Sequence, residues 1–287
     1  MSEPDVRRVG VIGGGTMGLG VAYVCAAAGC AVTLVEPDPE QAERARETAR
    51  KQAARAVERG KLDASAAGAL PDRIDVAQAV AGLPRGLDLV VEAVPERADL
   101  KRRVLTEAEA REPELLASNT SGLSIDGLAG ALERPGAFLG LHFFNPVWSM
   151  PLVEIVRGAA TTDAALERAR ATAALIGKET IVVRDAPGFA TSRLGVAIGL
   201  EAMRMLEDGV ADAEDIDRAM ELGYKHPMGP LRLTDLVGLD VRLDIAQHLA
   251  ATYGPRFEPP RILREKVAAG ELGRKSGRGF YTWPQGG

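Results

Sequence analysis

The feature that most constrains this chain is a glycine turn, Gly13-Gly-Gly15-Thr16-Met17-Gly18. It lies between a β-rich run, Val6 to Ile12, and an apolar helical run, Thr16 to Ala28, that stops at Gly29. Ala31 to Glu36 follows as a second strand. A strand, tight turn, helix and strand in this order commit the chain to a parallel sheet with a right-handed crossover. A bare G-x-G-x-x-G match is weak, but this one follows a strand, opens a helix and has Glu36 at the next strand end. Gly13 then permits the turn, Gly15 lets a pyrophosphate approach the backbone, and Gly18 allows close packing of helix on strand. The helix start at Thr16 and Met17 offers N–H donors to phosphates. A carboxylate at Glu36, followed by Pro37 rather than Arg, accepts the ribose hydroxyls of NAD and repels the 2′-phosphate of NADP. The plainer alternatives are a structural glycine turn and a solvated strand end.

Further strands are expected at Leu87–Glu92, Leu115–Ser118, Phe138–Phe144, Leu152–Val156 and Thr180–Arg184, with a long Arg-rich helix over Pro39–Lys61. Beyond the break Asp185-Ala-Pro-Gly188 all periodic segments are helical: Gly188 to Asp208, a run opened by Asp212 and stopped by Gly223, and one from Gly229-Pro230 to about Thr252. The expected architecture is α/β: a Rossmann-type, mainly parallel sheet domain over residues 1–184, then an all-α C-terminal domain over residues 185–287, for substrate and dimerisation. Lys and Arg number 35 against 40 Asp and Glu, a net charge of −5 that gives no global field for nucleic acid or anionic membrane. Cys25 and Cys30 are too few and too close for a disulfide scaffold or a structural zinc, and no metal is expected. The acidic opening Met1-Ser-Glu-Pro-Asp5 is unlike a leader, and Leu19 to Ala28 is too short to span a bilayer, so a soluble cytoplasmic protein is expected.

His142 ends the apolar strand Phe138-Leu-Gly-Leu-His142, and twelve residues on Glu154 sits inside the apolar strand Leu152-Val-Glu154-Ile-Val156. A buried carboxylate needs a partner. A carboxylate on Nδ1–H of His142 fixes the tautomer, assigns the base role to Nε2 and stabilises the imidazolium that forms. A structural pairing of Glu154 with an Arg or with backbone remains the alternative. His226, in a Lys-His-Pro turn, and His248, inside a helical run, read as structural.

Six motifs occur in the order seen in L-3-hydroxyacyl-CoA dehydrogenases. They are Ser118-Asn-Thr-Ser121, Gly140-Leu-His-Phe-Phe-Asn-Pro146, Leu152-Val-Glu154, Pro187-Gly-Phe189, Pro227-Met-Gly-Pro230 and Gly277-Arg-Gly-Phe-Tyr281. The chain resembles that family over essentially its whole length, and the stand-alone 3-hydroxybutyryl-CoA type most. The resemblance implies reversible oxidation of (S)-3-hydroxyacyl-CoA to 3-oxoacyl-CoA with NAD. It casts His142 as the base that removes the 3-hydroxyl proton, Glu154 as its orienting partner, Ser121 as a hydroxyl donor to the substrate oxygen and Asn145 as its neighbour. Glu96 and Lys101 match residues over the nicotinamide side of the cofactor, and Asn119 and Lys275 match further cofactor contacts. Where the family has Asn before Arg-Leu this chain has Ser192, a shorter hydroxyl that reaches substrate from a shifted backbone or through water, or else caps its helix.

Relatives are homodimers through the helical domain, for which the Gly/Ala-rich run Leu194–Met205 is suited. Arg44, Arg46, Arg50, Lys51, Arg55, Arg59 and Lys61 either meet coenzyme A phosphates or form a solvated face with Glu40, Glu43, Glu47 and Glu58. Two rival readings are the same machinery acting on a non-CoA hydroxy acid of gulonate or carnitine type, and a non-catalytic NAD-binding protein.

Overall fold

The computed structural model describes residues 6–284, so the acidic opening Met1–Asp5 lies outside it. The chain divides into two compact units, Met1–Ala186 and Pro187–Gly287.

The first unit is built on an eight-stranded sheet: β1 Arg8–Ile12, β2 Ala31–Val35, β3 Ile74–Ala77, β4 Leu89–Glu92, β5 Leu116–Ser118, β6 Phe138–Phe143, β7 Leu152–Arg157 and β8 Glu179–Arg184. Their spatial order is β3-β2-β1-β4-β5-β6-β7-β8. Every neighbouring pair is parallel except β6 with β7. The central strands are apolar because helices cover both faces of a parallel sheet, and Val9, Val11, Leu89, Val90 and Val91 are fully buried. The helices are α1 Thr16–Ala27, α2 Pro39–Glu58, α3 Ala64–Ala69, α4 Ala98–Glu109, α5 Ile125–Ala129 and α6 Asp163–Leu175. Asp38, Asp63, Ser124 and Thr162 cap α2, α3, α5 and α6 by accepting from backbone N–H groups. By contrast α1 starts at Gly15 with no side-chain cap and no acidic residue in its first turn.

The second unit is helical: α7 Thr191–Glu207, α8 Ala213–Arg218 continued by a π turn over Ala219–Gly223, α9 Pro230–Val237, α10 Leu239–Tyr253 and α11 Arg261–Ala268. The single helix expected over residues 230–252 is therefore two. Gly238 breaks it at φ +106°, a conformation side chains rarely adopt, and a Cβ there would lie 2.9 Å from Asp240 Oδ1.

Two buried carboxylates organise this unit. Asp217 accepts from Leu231 N (2.8 Å), Arg232 N (2.8 Å) and Tyr281 Oη (2.7 Å). Asp235 accepts from Phe280 N (2.9 Å), Tyr281 N (2.9 Å) and Trp283 Nε1 (2.8 Å). A Cβ at Gly279 would fall 2.1 Å from Asp235 Oδ1, and one at Gly229 2.2 Å from Asp217, so both motif glycines are required by close approach. Among the described residues no helix is long and apolar enough to cross a membrane.

Replacing Asp235 with Ala strands three donors, and the expected loss of stability is about 3 kcal/mol. Urea unfolding followed at Trp283 measures it; a loss below about 1 kcal/mol would show that water replaces the carboxylate.

Candidate active site

The glycine turn is packed hard on one side and open on the other. A Cβ at Gly18 would sit 1.9 Å from Gly13 O, and one at Gly13 2.8 Å from Ala93 O, so neither position admits a side chain. At Gly15 nothing lies within 4 Å. The first turn of α1, where Thr16 is exposed and Met17 half-buried, thus presents uncapped N–H groups to open space, the arrangement that receives phosphates.

Glu36 follows β2 directly and is 7% exposed. Its carboxylate accepts from Gly14 N at 2.8 Å and Asp38 N at 3.0 Å, which holds it against the turn rather than in solvent. A cavity of about 280 Å³ opens beside it, lined by Gly14, Gly15, Thr16, Gln41 and Arg44 among others. These residues fit a dinucleotide: backbone donors for the pyrophosphate and a carboxylate for the ribose.

The second cavity, about 320 Å³, lies at the carboxyl ends of β4, β5 and β6. It gathers Met17, Glu96, Lys101, Asn119, Ser121, His142 and Asn145, residues far apart in the sequence. His142 reaches it from β6. The antiparallel register sets His142 directly opposite Glu154, and Nδ1 lies 2.9 Å from Glu154 Oε2. Glu154 is fully buried, and a carboxylate can only accept, so Nδ1 carries the proton in this pair. Asn119 braces the strand end, its Oδ1 accepting from Phe143 N at 2.9 Å. The Phe144 ring packs against the imidazole with centroids 4.5 Å apart.

Beneath the cavity lies a buried polar network centred on Glu92, a residue that the sequence reading did not single out. Glu92 ends β4 with no exposure; its Oε1 accepts from Lys101 Nζ (2.7 Å) and Val94 N (2.7 Å), and its Oε2 from Ser118 Oγ (2.6 Å). The signal that marks Glu154, a carboxylate in an otherwise apolar strand, is present at Glu92 too, but at the strand's end instead of inside it. Lys101, 1% exposed, also lies 3.3 Å from Glu96 Oε2. Glu96 Oε1 accepts from Thr120 Oγ1 (2.5 Å), Ser121 N (3.0 Å) and Ser121 Oγ (3.4 Å). Burial pushes the Glu96 carboxyl up, but the Lys101 ammonium and these hydrogen bonds outweigh it and hold the group below the usual carboxylate range.

Ser192 and Lys275 belong to the second unit. Ser192 is half-buried in the first turn of α7, one residue inside the helix; the N-cap is Ala190, so Ser192 does not cap it. Lys275 is half-exposed, with Nζ 2.6 Å from Asp240 Oδ1. His248 is exposed and His226 half-buried in its turn.

A third cavity in the first unit, about 510 Å³, is lined by Arg55, Arg59, Lys61 and Lys178 together with Tyr23 and Trp148. It divides the basic residues of α2. Arg44, Arg46, Arg50 and Lys51 pair with acidic residues on or beside their own helix. Among the described residues no ion pair engages Arg55, Arg59 or Lys61. Burial, then the nearby Lys61 charge, pushes the Lys178 ammonium below its usual value.

A dinucleotide cleft beside a histidine oriented by a buried carboxylate defines an NAD-linked dehydrogenase, an enzyme that takes hydride from a hydroxyl-bearing carbon. Comparison with known proteins makes the class specific. Residues 8–186 match the family model described as 3-hydroxyacyl-CoA dehydrogenase, NAD binding domain, and residues 188–283 its C-terminal domain. The 3-hydroxybutyryl-CoA dehydrogenase of Mycobacterium tuberculosis is 42% identical over 97% of this chain and 99% of its own. The mitochondrial hydroxyacyl-coenzyme A dehydrogenase of Sus scrofa is 38% identical over 97% of this chain and 91% of its own. The crystal structure of (S)-3-hydroxybutyryl-CoA dehydrogenase from Ralstonia eutropha superposes with a TM-score of 0.93 at 37% identity, over 98% of this chain and all of that one. The chain belongs to the 3-hydroxyacyl-CoA dehydrogenase family, an NAD-dependent oxidoreductase family.

The placement of Glu36 predicts at least about a tenfold preference for NAD over NADP in kcat/KM, since a buried carboxylate facing a phosphate dianion costs upwards of ~1.4 kcal/mol. Steady-state kinetics with both cofactors measures it, and equal values would mean that Glu36 does not face the ribose.

Proposed function

We infer that this enzyme interconverts short-chain (S)-3-hydroxyacyl-CoA, 3-hydroxybutyryl-CoA foremost, and the 3-oxoacyl-CoA, with His142 as the base. The observation that carries the reading is the buried His142–Glu154 pair at 2.9 Å, opening on the cavity that also holds Ser121 and Asn145. NAD, held by the Gly13–Gly18 turn and Glu36 with Glu96, Lys101, Asn119 and Lys275 as further contacts, supplies the hydride acceptor. His142 Nε2 accepts the 3-hydroxyl proton, and Glu154 stabilises the imidazolium that results. In the reverse direction the same nitrogen returns the proton to the carbonyl oxygen. The Ser121 hydroxyl donates to that oxygen, and Asn145 and Ser192 complete the polar surround.

The cavity lined by Arg55, Arg59, Lys61 and Lys178 receives the phosphates of coenzyme A; Arg55, Arg59 and Lys61, which no ion pair engages among the described residues, stand on a concave wall as a diphosphate needs. The enzyme acts as a cytoplasmic homodimer joined through the helical domain. Supporting this, α7 exposes Leu194 (62%) and Ile198, while α9 and α10 expose Leu233, Val237 and Val241.

The deciding assay is NADH consumption with acetoacetyl-CoA; its absence would overturn the substrate assignment. In the same assay Glu154→Gln should lower kcat by roughly 10²–10⁴-fold with NADH binding preserved, because the imidazolium loses its counter-charge. Unchanged turnover would remove the pair from the mechanism.

A further inference from the structure

The groove between α1 and α2 is divided by a single side chain. The cavity at the glycine turn takes Leu19 from α1 and Arg44 and Thr48 from α2. The larger cavity takes Tyr23 and Ala27 from α1 and Gln52, Arg55 and Arg59 from α2. These are successive turns of the same two helices, so the cavities follow one another along one groove of the first unit. Trp148, from the loop between β6 and β7, lines both of them.

The backbone on either side of Trp148 is pinned, and the indole is not. Val147 is buried and pressed onto α1 at Gly20, where a Cβ would lie 2.7 Å from Val147 Cβ. Lys178 Nζ donates to Val147 O at 2.5 Å and to Met150 O at 2.7 Å, which ties down both flanks of the tryptophan. The indole itself is only half-buried, and its aromatic neighbour is the Tyr23 ring, edge-on with centroids 6.1 Å apart. What freedom remains is in the side-chain torsions. A ligand that packs on the indole from one cavity removes that freedom, and a ligand in the other cavity then meets a wall already ordered. A flat aromatic wall suits a purine, which both the dinucleotide and coenzyme A carry.

We propose that Trp148 is the common wall of two adenine-nucleotide sites, and that the dinucleotide and the nucleotide end of coenzyme A each strengthen the binding of the other through it. The proposal rests on the reading of the larger cavity as the coenzyme A phosphate site and adds to it a link with cofactor occupancy. The chemistry at C3 is unchanged. By reciprocity the gain is the same whichever ligand arrives first.

The test uses fragments that carry neither reacting group: ADP-ribose for the cofactor and adenosine 3′,5′-bisphosphate for coenzyme A. Calorimetric titration of each into the parent enzyme, alone and with the other saturating, should show a gain in affinity of at least about fivefold, equal in both orders of addition. Trp148→Ala should abolish the gain while each fragment still binds through its phosphates, and Trp148→Phe, which keeps a flat ring, should retain part of it. Arg59→Ala should weaken the bisphosphate and leave ADP-ribose unaffected. Affinities in the parent enzyme that are independent or mutually exclusive overturn the proposal without any variant being made. So does a gain that Trp148→Ala leaves intact. In those cases a bisphosphate affinity that falls in Arg59→Ala keeps the coenzyme A reading of the cavity standing, whereas a bisphosphate that does not bind, or that ignores Arg59→Ala, overturns both.

Discussion

A single reversal of strand direction governs the site. In the parallel part of the sheet, the polar side chains of the site stand at or just beyond the carboxyl ends of their strands. At the β6–β7 seam, residues stand directly opposite one another, with Cβ atoms about 4.5–5.5 Å apart. The hydrogen bond of His142 to Glu154 is thus set by ladder register and not by the reach of a flexible chain. A slip of one residue would turn Glu154 to the other face of the sheet. The neighbouring parallel strands then supply the rest of the cavity from the loops after β4 and β5, which bring Glu96, Asn119 and Ser121 alongside.

The same unit places charge where apolar packing would be cheaper, and each instance is closed by partners. Lys101 shares its ammonium between Glu92, the Val94 carbonyl and Glu96. A buried pair of this kind adds little net stability over an apolar substitute but is strongly destabilising when half of it is removed. Its consequence is positional: Glu96 and the Ser121 backbone are tied to the end of β4, so the cavity wall is rigid on the side where α4 begins.

Much of this was legible in the sequence. The glycine turn and Glu36 follow from their order between strand and helix. His142 and Glu154 were readable because each is a lone polar residue in an otherwise apolar strand. Glu92 carries that mark too, but at a strand end it is indistinguishable from the solvated start of a loop. Lys101 and Arg242 sit in helices, where a long cationic side chain ordinarily snorkels to water, and local sequence holds no trace of the tertiary contacts that bury them. The break at Gly238 was hidden for a related reason, since the apolar spacing continues across it while the backbone does not. β3, Ile74–Ala77, is four residues long and half-exposed, too short to register as a period.

The tie between Asp235 and the Phe280–Trp283 segment has a consequence for how the polypeptide is made. The acceptor precedes its first donor by 45 residues. At typical elongation rates that is a delay of about 2–9 s during which α9 exists without the amides and indole that surround its carboxylate. The helical unit therefore cannot reach its final packing while it is being synthesised through α10 and α11. Its closure waits for Trp283 to emerge, so any ribosomal pause between Asp235 and that tryptophan prolongs the interval in which the nascent helices expose their apolar faces to chaperones.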